Sequence, residues 1–300
     1  MIKVKYDIDP QIRKFCMSVP FKAPLIAASH APMRFMLKFV GLNGLGCEKT
    51  EFCGCPIDIY SPRELPDNAP CIVFYHGGGF GFGAAPHHKS LALKLARELN
   101  CRVACPDYRL LPGGVYPKAR EDAIKAYRFV CGRFPESEIA VVGDSAGGVL
   151  AVYAVSDAEK EGLKPPVMQM LLYPVIDCEC QTASMAKFTD TPLWNSVNNK
   201  AMWKMYLGNA SGGDASPMQM KLPENIPETY IETAEFDCLH DEGVAYAERL
   251  SRAGASVELY QTERTPHGYD IATKSDVMKE CMKRRTAALK RAFSKEPSKL

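Results

Sequence analysis

The sequence predicts an α/β fold with a mostly parallel, doubly wound sheet. From about residue 50 onward, short apolar runs rich in β-branched residues alternate with longer helical patterns. Such alternation is typical of strands joined by crossover helices. The chain has 300 residues and 46% hydrophobic content, which is enough to bury one large core. We therefore expect one domain with a single core and added segments.

Six apolar runs are the strand candidates, and six strands suffice for a doubly wound sheet. The candidate strands are 71–76, 101–108, 139–145, 167–175, 228–235 and 256–261. The predicted helices are 87–99, 118–134, 146–161, 241–253 and about 271–294. The core is therefore expected to comprise residues 47–177 and 223–300.

Two segments interrupt the alternation and are predicted to form a helical cap. Residues 1–46 read as helices, and residues 178–222 form an insert longer than the usual connection between a strand and the next element. The apolar residues noted in the first segment are Ile12, Phe15, Met33, Phe35, Met36 and Phe39. The insert contains both tryptophans, Trp194 and Trp203. We expect both segments to cover the carboxyl ends of the strands, where open α/β sheets bind ligands; plain packing onto the core is the alternative.

The overall charge argues against nucleic acid or an anionic membrane as a partner. The chain has 37 basic and 35 acidic residues, and its one notable basic run is Lys283 to Arg285. The first residues lack the apolar region of a secretory signal, and no stretch approaches the roughly 18 apolar residues of a membrane span. We therefore expect a soluble, cytoplasmic protein. A homodimer through a sheet edge would leave no local motif and stays possible.

The 12 cysteines are expected to be reduced thiols in such a compartment. Cys53 and Cys55, with Cys47 just upstream, resemble part of a metal site. However, a CxC pair on a strand would point both side chains to one face, and no second spaced pair follows. No metal site is predicted.

The residues from Gly143 to Gly147 form a GxSxG motif between a predicted strand and a predicted helix. A serine on such a tight turn has a strained backbone and an exposed hydroxyl, and flanking glycines let the chain turn without collision. The dipole of the following helix favours negative charge at the turn. Ser145 is therefore the candidate nucleophile.

A second motif, His76 followed by Gly77, Gly78 and Gly79, ends the strand 71–76. Consecutive glycines expose backbone N–H groups that can hold an oxygen that becomes negative when a carbonyl carbon is attacked. The N–H of Ala146, the residue after the nucleophile, is the expected third donor. His76 is interpreted as a residue that fixes this loop, because it precedes the serine and belongs to the glycine turn.

A serine hydroxyl needs a base to accept its proton, and His267 is the best candidate among the six histidines. In a strand–GxSxG–helix arrangement the chain order is serine, acid, histidine, which leaves His240 and His267. His267 lies in a loop after a predicted strand, whereas His240 lies where a helix begins and is expected to be exposed.

The acid that orients the imidazole should follow the penultimate strand. Asp237 lies at that point. Asp241 and Glu242 are the competitors, but they fall at the start of the next helix, where they would serve as capping charges.

Together these motifs resemble the hormone-sensitive-lipase-like family of α/β-hydrolase esterases. Further matching segments are PDYRLLP (106–112), YPKAREDA (116–123), LLYPVID (171–177), ASP (215–217) and TAEFDCLHDEG (233–243), so the resemblance covers roughly residues 70–270. It implies the α/β-hydrolase fold, a triad of Ser145, Asp237 and His267, an oxyanion hole from Gly77–Gly79 and Ala146, and no cofactor. Two positions depart from the family pattern: Val149 stands where asparagine is common, and PGG (112–114) replaces a PE pair.

The resemblance implies a serine esterase that hydrolyses small carboxylic esters, with short acyl chains, through an acyl-enzyme. The residues expected to shape the substrate pocket are Phe80, Tyr173, Trp194 and Trp203. An amidase, peptidase or deacetylase on the same triad, a lipase acting on aggregated lipid, and a non-catalytic small-molecule receptor are the alternatives. Receptors of this family lost the histidine, whereas this chain retains His267.

Overall fold

The structure is a computed structural model that describes residues 5–294. Its centre is one sheet of eight strands in the order β1-β2-β4-β3-β5-β6-β7-β8. The strands are β1 Gly46–Phe52, β2 Cys55–Ser61, β3 Cys71–Tyr75, β4 Arg102–Pro106, β5 Ile139–Asp144, β6 Met168–Leu172, β7 Glu228–Phe236 and β8 Val257–Pro266. Strands β3 to β8 are parallel, with Gly143 of β5 opposite Leu171 of β6 and Leu172 opposite Glu232 of β7. The predicted doubly wound α/β sheet is confirmed.

Helices cover both faces of the sheet, and each face has its own hydrophobic core. The helices are α1 Pro10–Arg13, α2 Ala23–Leu37, α3 Pro86–Leu99, α4 Lys118–Arg133, α5 Ala146–Lys160, α6 Ala183–Lys187, α7 Ser196–Leu207, α8 His240–Arg252 and α9 Asp276–Ser294. Buried residues of α4, α5 and α8 pack in one core. Those of α1, α3 and α9 pack in the other. The inner parallel strands β3, β5 and β6 are therefore buried throughout, which explains their continuous apolar runs.

Strands β1 and β2 were missing from the predicted set. They form an antiparallel hairpin at one edge of the sheet, with β2 also antiparallel to β4. The exposed positions of β1 include Glu48, Lys49 and Glu51, so its sequence lacks the apolar run that marks a buried strand. An edge strand with one polar face gives only a weak sequence signal.

The expectation that Cys53 and Cys55 share one strand was wrong. Cys53 has φ 50° and Gly54 φ 78°, so both lie in the two-residue turn between β1 and β2, and Cys55 begins β2. Two central residues with positive φ are typical of a tight hairpin turn. The 12 cysteines are all free thiols.

The two predicted cap segments contact each other in the structure. Asn198 of α7 accepts a hydrogen bond from the Phe21 amide (3.1 Å) and donates one to the Val19 carbonyl (3.0 Å). The Leu193 amide also donates to the Met17 carbonyl (2.8 Å). Residues 1–4 of the first segment and 295–300 of the second core segment lie outside the described residues, and Gly46 already belongs to β1. The assignment of 1–46 and 178–222 as a cap stays a prediction.

Within residues 5–294, no helix is long and apolar enough to cross a membrane.

Candidate active site

Ser145 lies at the sharp turn between β5 and α5, with φ 53° and ψ −121°. The flanking glycines are required by close approach of the backbone. A Cβ on Gly143 would lie 2.1 Å from the Gly147 carbonyl oxygen, and one on Gly147 would lie 2.0 Å from the Tyr75 carbonyl oxygen. The Ser145 amide donates to the Leu172 carbonyl (2.9 Å), so neighbouring β6 holds the strained turn in place.

The structure brings Ser145, His267 and Asp237 into one hydrogen-bonded chain. The Ser145 Oγ lies 2.9 Å from His267 Nε2, and His267 Nδ1 lies 2.7 Å from Asp237 Oδ2. All three side chains are buried, with 5%, 6% and 0% exposure respectively. Because the carboxylate only accepts, Nδ1 carries the proton and Nε2 is free to accept the serine proton. This is the arrangement that activates a serine hydroxyl.

Other contacts hold the acid and the imidazole in position. Asp237 Oδ1 accepts the Leu239 amide (3.0 Å) just beyond the end of β7. The Tyr173 ring packs edge-on against the imidazole of His267, with centroids 5.0 Å apart. His240, the alternative base, contacts Asp241 and Gln261 instead of Ser145. It is half-buried, not exposed as expected.

Asp241 and Glu242 lie in the first turn of α8, as expected, but their side chains accept hydrogen bonds from other segments instead of from the amides of their own helix. Asp241 Oδ2 accepts the Ser184 amide at the start of α6 (2.7 Å). Glu242 is fully buried, and its Oε1 accepts the amides of Ile176 (2.7 Å) and Asp177 (3.3 Å) beyond β6. Burial raises the pKa of the Glu242 carboxyl well above its usual value. Both acids therefore bind the segment that leads into the predicted cap.

The glycine loop lies directly beside the serine. A Cβ on Gly77 would lie 3.0 Å from the Ser145 Cβ. However, the Gly77 N–H donates to Asp144 Oδ1 (2.9 Å), so it is not available to a bound oxyanion. This corrects the prediction for Gly77. The amides of Gly78 and Gly79 donate to no other described residue, and the Ala146 amide is the first of α5, so these three remain the candidate donors.

Asp144 and His88 fix this loop, a role that sequence reasoning missed. His88 Nδ1 accepts the Ala85 amide (2.8 Å), so the proton is on Nε2, which donates to Asp144 Oδ2 (3.2 Å). Burial alone would raise the pKa of the Asp144 carboxyl, but the neighbouring His88 outweighs it and the pKa falls to about 2. Asp144 is thus an ionised acceptor shared by Gly77 and His88.

His76 fixes the same loop from the other side, as expected. Its Nδ1 donates to the Gly77 carbonyl (2.7 Å), and its ring stacks on Tyr108 with centroids 4.5 Å apart. Burial, together with the neighbouring His88, lowers the pKa of His76 to about 4. The imidazole is therefore neutral near pH 7.

A family model described as alpha/beta hydrolase fold matches residues 72–271. The chain belongs to the α/β-hydrolase family. A carboxylesterase of Mycobacterium tuberculosis, NlhH, is 34% identical over 273 residues, covering 87% of this hydrolase and 83% of the relative. An ethyl acetate hydrolase of Pseudomonas putida is 30% identical over 225 residues, covering 71% of each chain. The crystal structure of esterase LipW from Mycobacterium marinum matches with a TM-score of 0.89 at 30% identity, over 96% of this chain and 97% of that one.

These similarities confirm the predicted hormone-sensitive-lipase-like α/β-hydrolase family, and the chain is an ester-hydrolysing enzyme. Within residues 5–294, no cluster of three or more His, Cys, Asp or Glu side chains could hold a metal ion.

Of the four residues predicted to shape the substrate pocket, Tyr173 and Trp194 pack nearest to His267 of the hydrolase, and Trp194 also contacts the glycine loop. Its ring centroid lies 6.1 Å from that of His267, and a Cβ on Gly79 would lie 2.8 Å from its ring. Phe80 is fully buried and stacks on Tyr206, with centroids 3.7 Å apart. Trp203 packs against the same pair and is 2% exposed, and Tyr173 is 1% exposed beneath the imidazole. These last three side chains offer almost no surface to a ligand.

The N-terminal segment of the hydrolase covers the glycine loop. The sequence predicted a covering role for this segment but not which of its residues contact the loop. Phe21 packs edge-on against Trp194 (5.4 Å between centroids), and a Cβ on Gly81 would lie 3.0 Å from Ile26. His30 Nε2 donates to the Gly81 carbonyl (2.7 Å). These contacts place residues 21–30 beside the candidate oxyanion donors.

Behind the histidine lies a fully buried ionic cluster. Arg285 of α9 donates to Asp270 Oδ2 (2.7 Å) and to both oxygens of Glu232 on β7 (3.1 Å each). Tyr269 donates to the same Glu232 (2.7 Å) and packs against Tyr173. Arg285 is 0% exposed although it belongs to the basic run noted in the sequence. The cluster ties the loop that carries His267 to β7 and α9.

Proposed function

We propose that this hydrolase cleaves small carboxylic esters with Ser145 as nucleophile, His267 as general base and acid, and Asp237 as the residue that orients the imidazole. The observation that carries the proposal is the hydrogen-bonded chain of these three side chains, with distances of 2.9 and 2.7 Å. Its geometry lies within the range required for a nucleophile and base pair.

The proposed reaction has two halves. Ser145 Oγ attacks the ester carbonyl while His267 Nε2 takes the hydroxyl proton, and the resulting oxyanion accepts hydrogen bonds from Gly78, Gly79 and Ala146. His267 then gives that proton to the leaving alcohol as the carbon–oxygen bond breaks. Water, deprotonated by His267, attacks the acyl-enzyme. As the bond between the acyl carbon and Ser145 Oγ breaks, His267 returns the proton to Oγ, which releases the carboxylic acid and restores the free serine.

We further propose a preference for short acyl chains. Phe21 and Trp194 pack close to the glycine loop, which limits the space beside the donors. The named substrate of one relative, the ethyl acetate hydrolase, also has a short acyl group. The cytoplasmic location expected from the sequence stays a prediction, as does the alternative of a homodimer through a sheet edge.

The test is a panel of p-nitrophenyl esters from acetate to palmitate, with matching anilides, on the wild type and two serine variants. Ser145→Ala should abolish turnover, since loss of the nucleophile typically costs about 10⁶ in kcat. Ser156→Ala is the matched control, because Ser156 lies on α5 and is equally buried at 5% exposure, but takes no part in the site. Retained esterase activity in Ser145→Ala would refute the triad, and faster cleavage of anilides than of esters would refute the substrate class.

A further inference from the structure

The exposed large hydrophobic side chains within residues 5–294 are concentrated in one segment. They are Phe15, Met17, Val19, Leu25, Phe35, Met36, Phe39 and Val197, with exposures from 36% to 74%. All but Val197 lie between positions 15 and 39, and Val197 precedes Asn198, which is bonded to Val19 and Phe21. Single exposed apolar residues are ordinary, but a concentration of them marks an interaction site.

Helix α2 supplies much of this surface. Its sequence APLIAASHAPMRFML contains one charged residue, Arg34, yet Ile26 is its only buried residue. Positions 26, 30, 33 and 37 form one stripe of the helix and are buried or half-buried. This stripe is the side of α2 that faces the glycine loop and α3. The exposed apolar positions 25, 28, 32, 35, 36 and 39 recur every three or four residues, which places them together on the opposite side.

The same segment is strongly basic. Residues 10–47 contain no aspartate or glutamate, and their basic residues are Arg13, Lys14, Lys22, Arg34 and Lys38. Arg34 is paired with Asp107 and Arg13 with Asp7. Lys14, Lys22 and Lys38 are exposed and form no ion pair with another described residue. The whole-chain charge of +2 conceals this local excess.

We propose that this apolar-basic surface, residues 14–39, docks the enzyme on an anionic lipid surface. Exposed aromatic and aliphatic side chains would enter the boundary between headgroups and acyl chains, and the three unpaired lysines would contact anionic headgroups. A second copy of the chain fits less well, because a symmetric dimer through this surface would bring two sets of like charges together. This proposal departs from the expectation, drawn from overall charge, that the protein has no membrane partner.

Docking has a consequence for the active site, which rests on the proposed function. The inner side of the same segment contacts the glycine loop through Ile26 and His30 and contacts Trp194 through Phe21. A lipid surface bound to the outer side therefore lies one helix away from the candidate oxyanion donors. Esters dissolved in that surface are the substrates that docking would favour.

The test is co-sedimentation with vesicles of phosphatidylcholine alone or mixed with phosphatidylglycerol. The wild type should bind the mixed vesicles, and Lys14→Glu, Lys22→Glu, Lys38→Glu should weaken binding by at least about fivefold per lysine, a hundredfold or more together, because each change removes a positive charge and adds a negative one. Phe35→Ser with Phe39→Ser should weaken it by about tenfold or more without affecting folding, since both rings are exposed.

The matched control is Lys221→Glu, Lys274→Glu, Lys290→Glu, which makes the same charge change at exposed positions elsewhere and should keep binding near the wild-type level. An equal loss in this control, or no wild-type binding to mixed vesicles, would overturn the proposal. So would a change from dimer to monomer in the phenylalanine variant, because a second copy would then cover the surface. Hydrolysis of water-soluble p-nitrophenyl acetate should stay unchanged in the phenylalanine variant and in the control lysine variant, and its absence in the wild type would refute the proposed function alone.

Discussion

Replacing Asp144 with asparagine should show how much the position of the glycine loop contributes to turnover while the triad side chains stay unchanged. Asp144 accepts two hydrogen bonds, from the Gly77 amide (2.9 Å) and from His88 Nε2 (3.2 Å). Asparagine has one oxygen and one NH₂ group. If the asparagine oxygen accepts the hydrogen bond from the Gly77 amide, the NH₂ group faces the N–H of His88 and that hydrogen bond is lost. If the side-chain amide is reversed, the Gly77 amide loses its acceptor.

Either orientation removes one hydrogen bond to a charged group, which costs about 1.5–3 kcal/mol of stability. The larger effect is expected in kcat. Gly77 is directly followed by the donors Gly78 and Gly79, and losing one oxyanion donor typically lowers turnover about 10²–10³-fold. KM should change little, because these amides act chiefly on the transition state.

The assay is steady-state hydrolysis of p-nitrophenyl acetate together with urea unfolding. Thr229→Val is the control, since Thr229 accepts a buried hydrogen bond from Gln169 (2.9 Å) at the opposite end of β7 from Asp237. Thr229→Val should lose comparable stability and keep its kcat. A wild-type kcat in Asp144→Asn, alongside the expected loss of stability, would refute the argument that Asp144 positions the donors.

Three further predictions concern the surroundings of the site. Arg285→Met should lower the free energy of unfolding by about 3–5 kcal/mol, because it leaves two buried carboxylates unpaired. Arg284→Met is the control and should cost less than about 1 kcal/mol, since Arg284 is partly exposed and pairs with Glu280; equal losses in urea unfolding would contradict this. Burial lowers the pKa of His76 from 6.5 to about 4, so the unfolded state binds more protons between these values and stability should fall as pH drops through that window. The contribution of His76 to this fall should be at most about 1.4 kcal/mol per pH unit, so the slope of stability against pH should be smaller in His76→Asn. Equal slopes in the variant and the wild type would refute the assignment. Glu242→Gln should retain most of the stability, because the amide oxygen of glutamine can still accept hydrogen bonds from the two backbone amides. Glu242→Leu should lose about 2–4 kcal/mol, because these amides are left without an acceptor. Equal stability of the two variants would contradict the role of Oε1.

The six parallel strands and the candidate triad could be predicted because the signals for the strands and for Ser145 are local. Parallel strands buried on both faces read as continuous apolar runs, and Ser145 lies in a short motif whose glycines are required by backbone contacts. The chain order then selected Asp237 and His267, and the structure brings both within hydrogen-bonding distance. The ends of the predicted strands and helices differ from the observed ends by only a few residues.

The features that the sequence did not reveal depend on pairing between distant segments. The Asp144–His88 contact joins residues 56 positions apart, and the Arg285–Glu232 contact joins residues 53 apart. Neither produces a periodic pattern. Gly77 was misassigned because a glycine motif identifies exposed amides without showing which side chain already occupies one. Local charge at positions 10–47 was hidden by averaging over the whole chain.

The position of Arg285 on α9 has a consequence for when a newly made chain can become active. Both of its carboxylate partners, Glu232 and Asp270, are synthesised earlier and are buried in the folded protein. Until α9 emerges from the ribosome, these acids lack their counter-ion, and the loop bearing His267 lacks one of its anchors. Hydrolytic competence should therefore arise only after α9 has emerged, so nascent fragments that already carry the serine motif but lack α9 should be less able to hydrolyse esters.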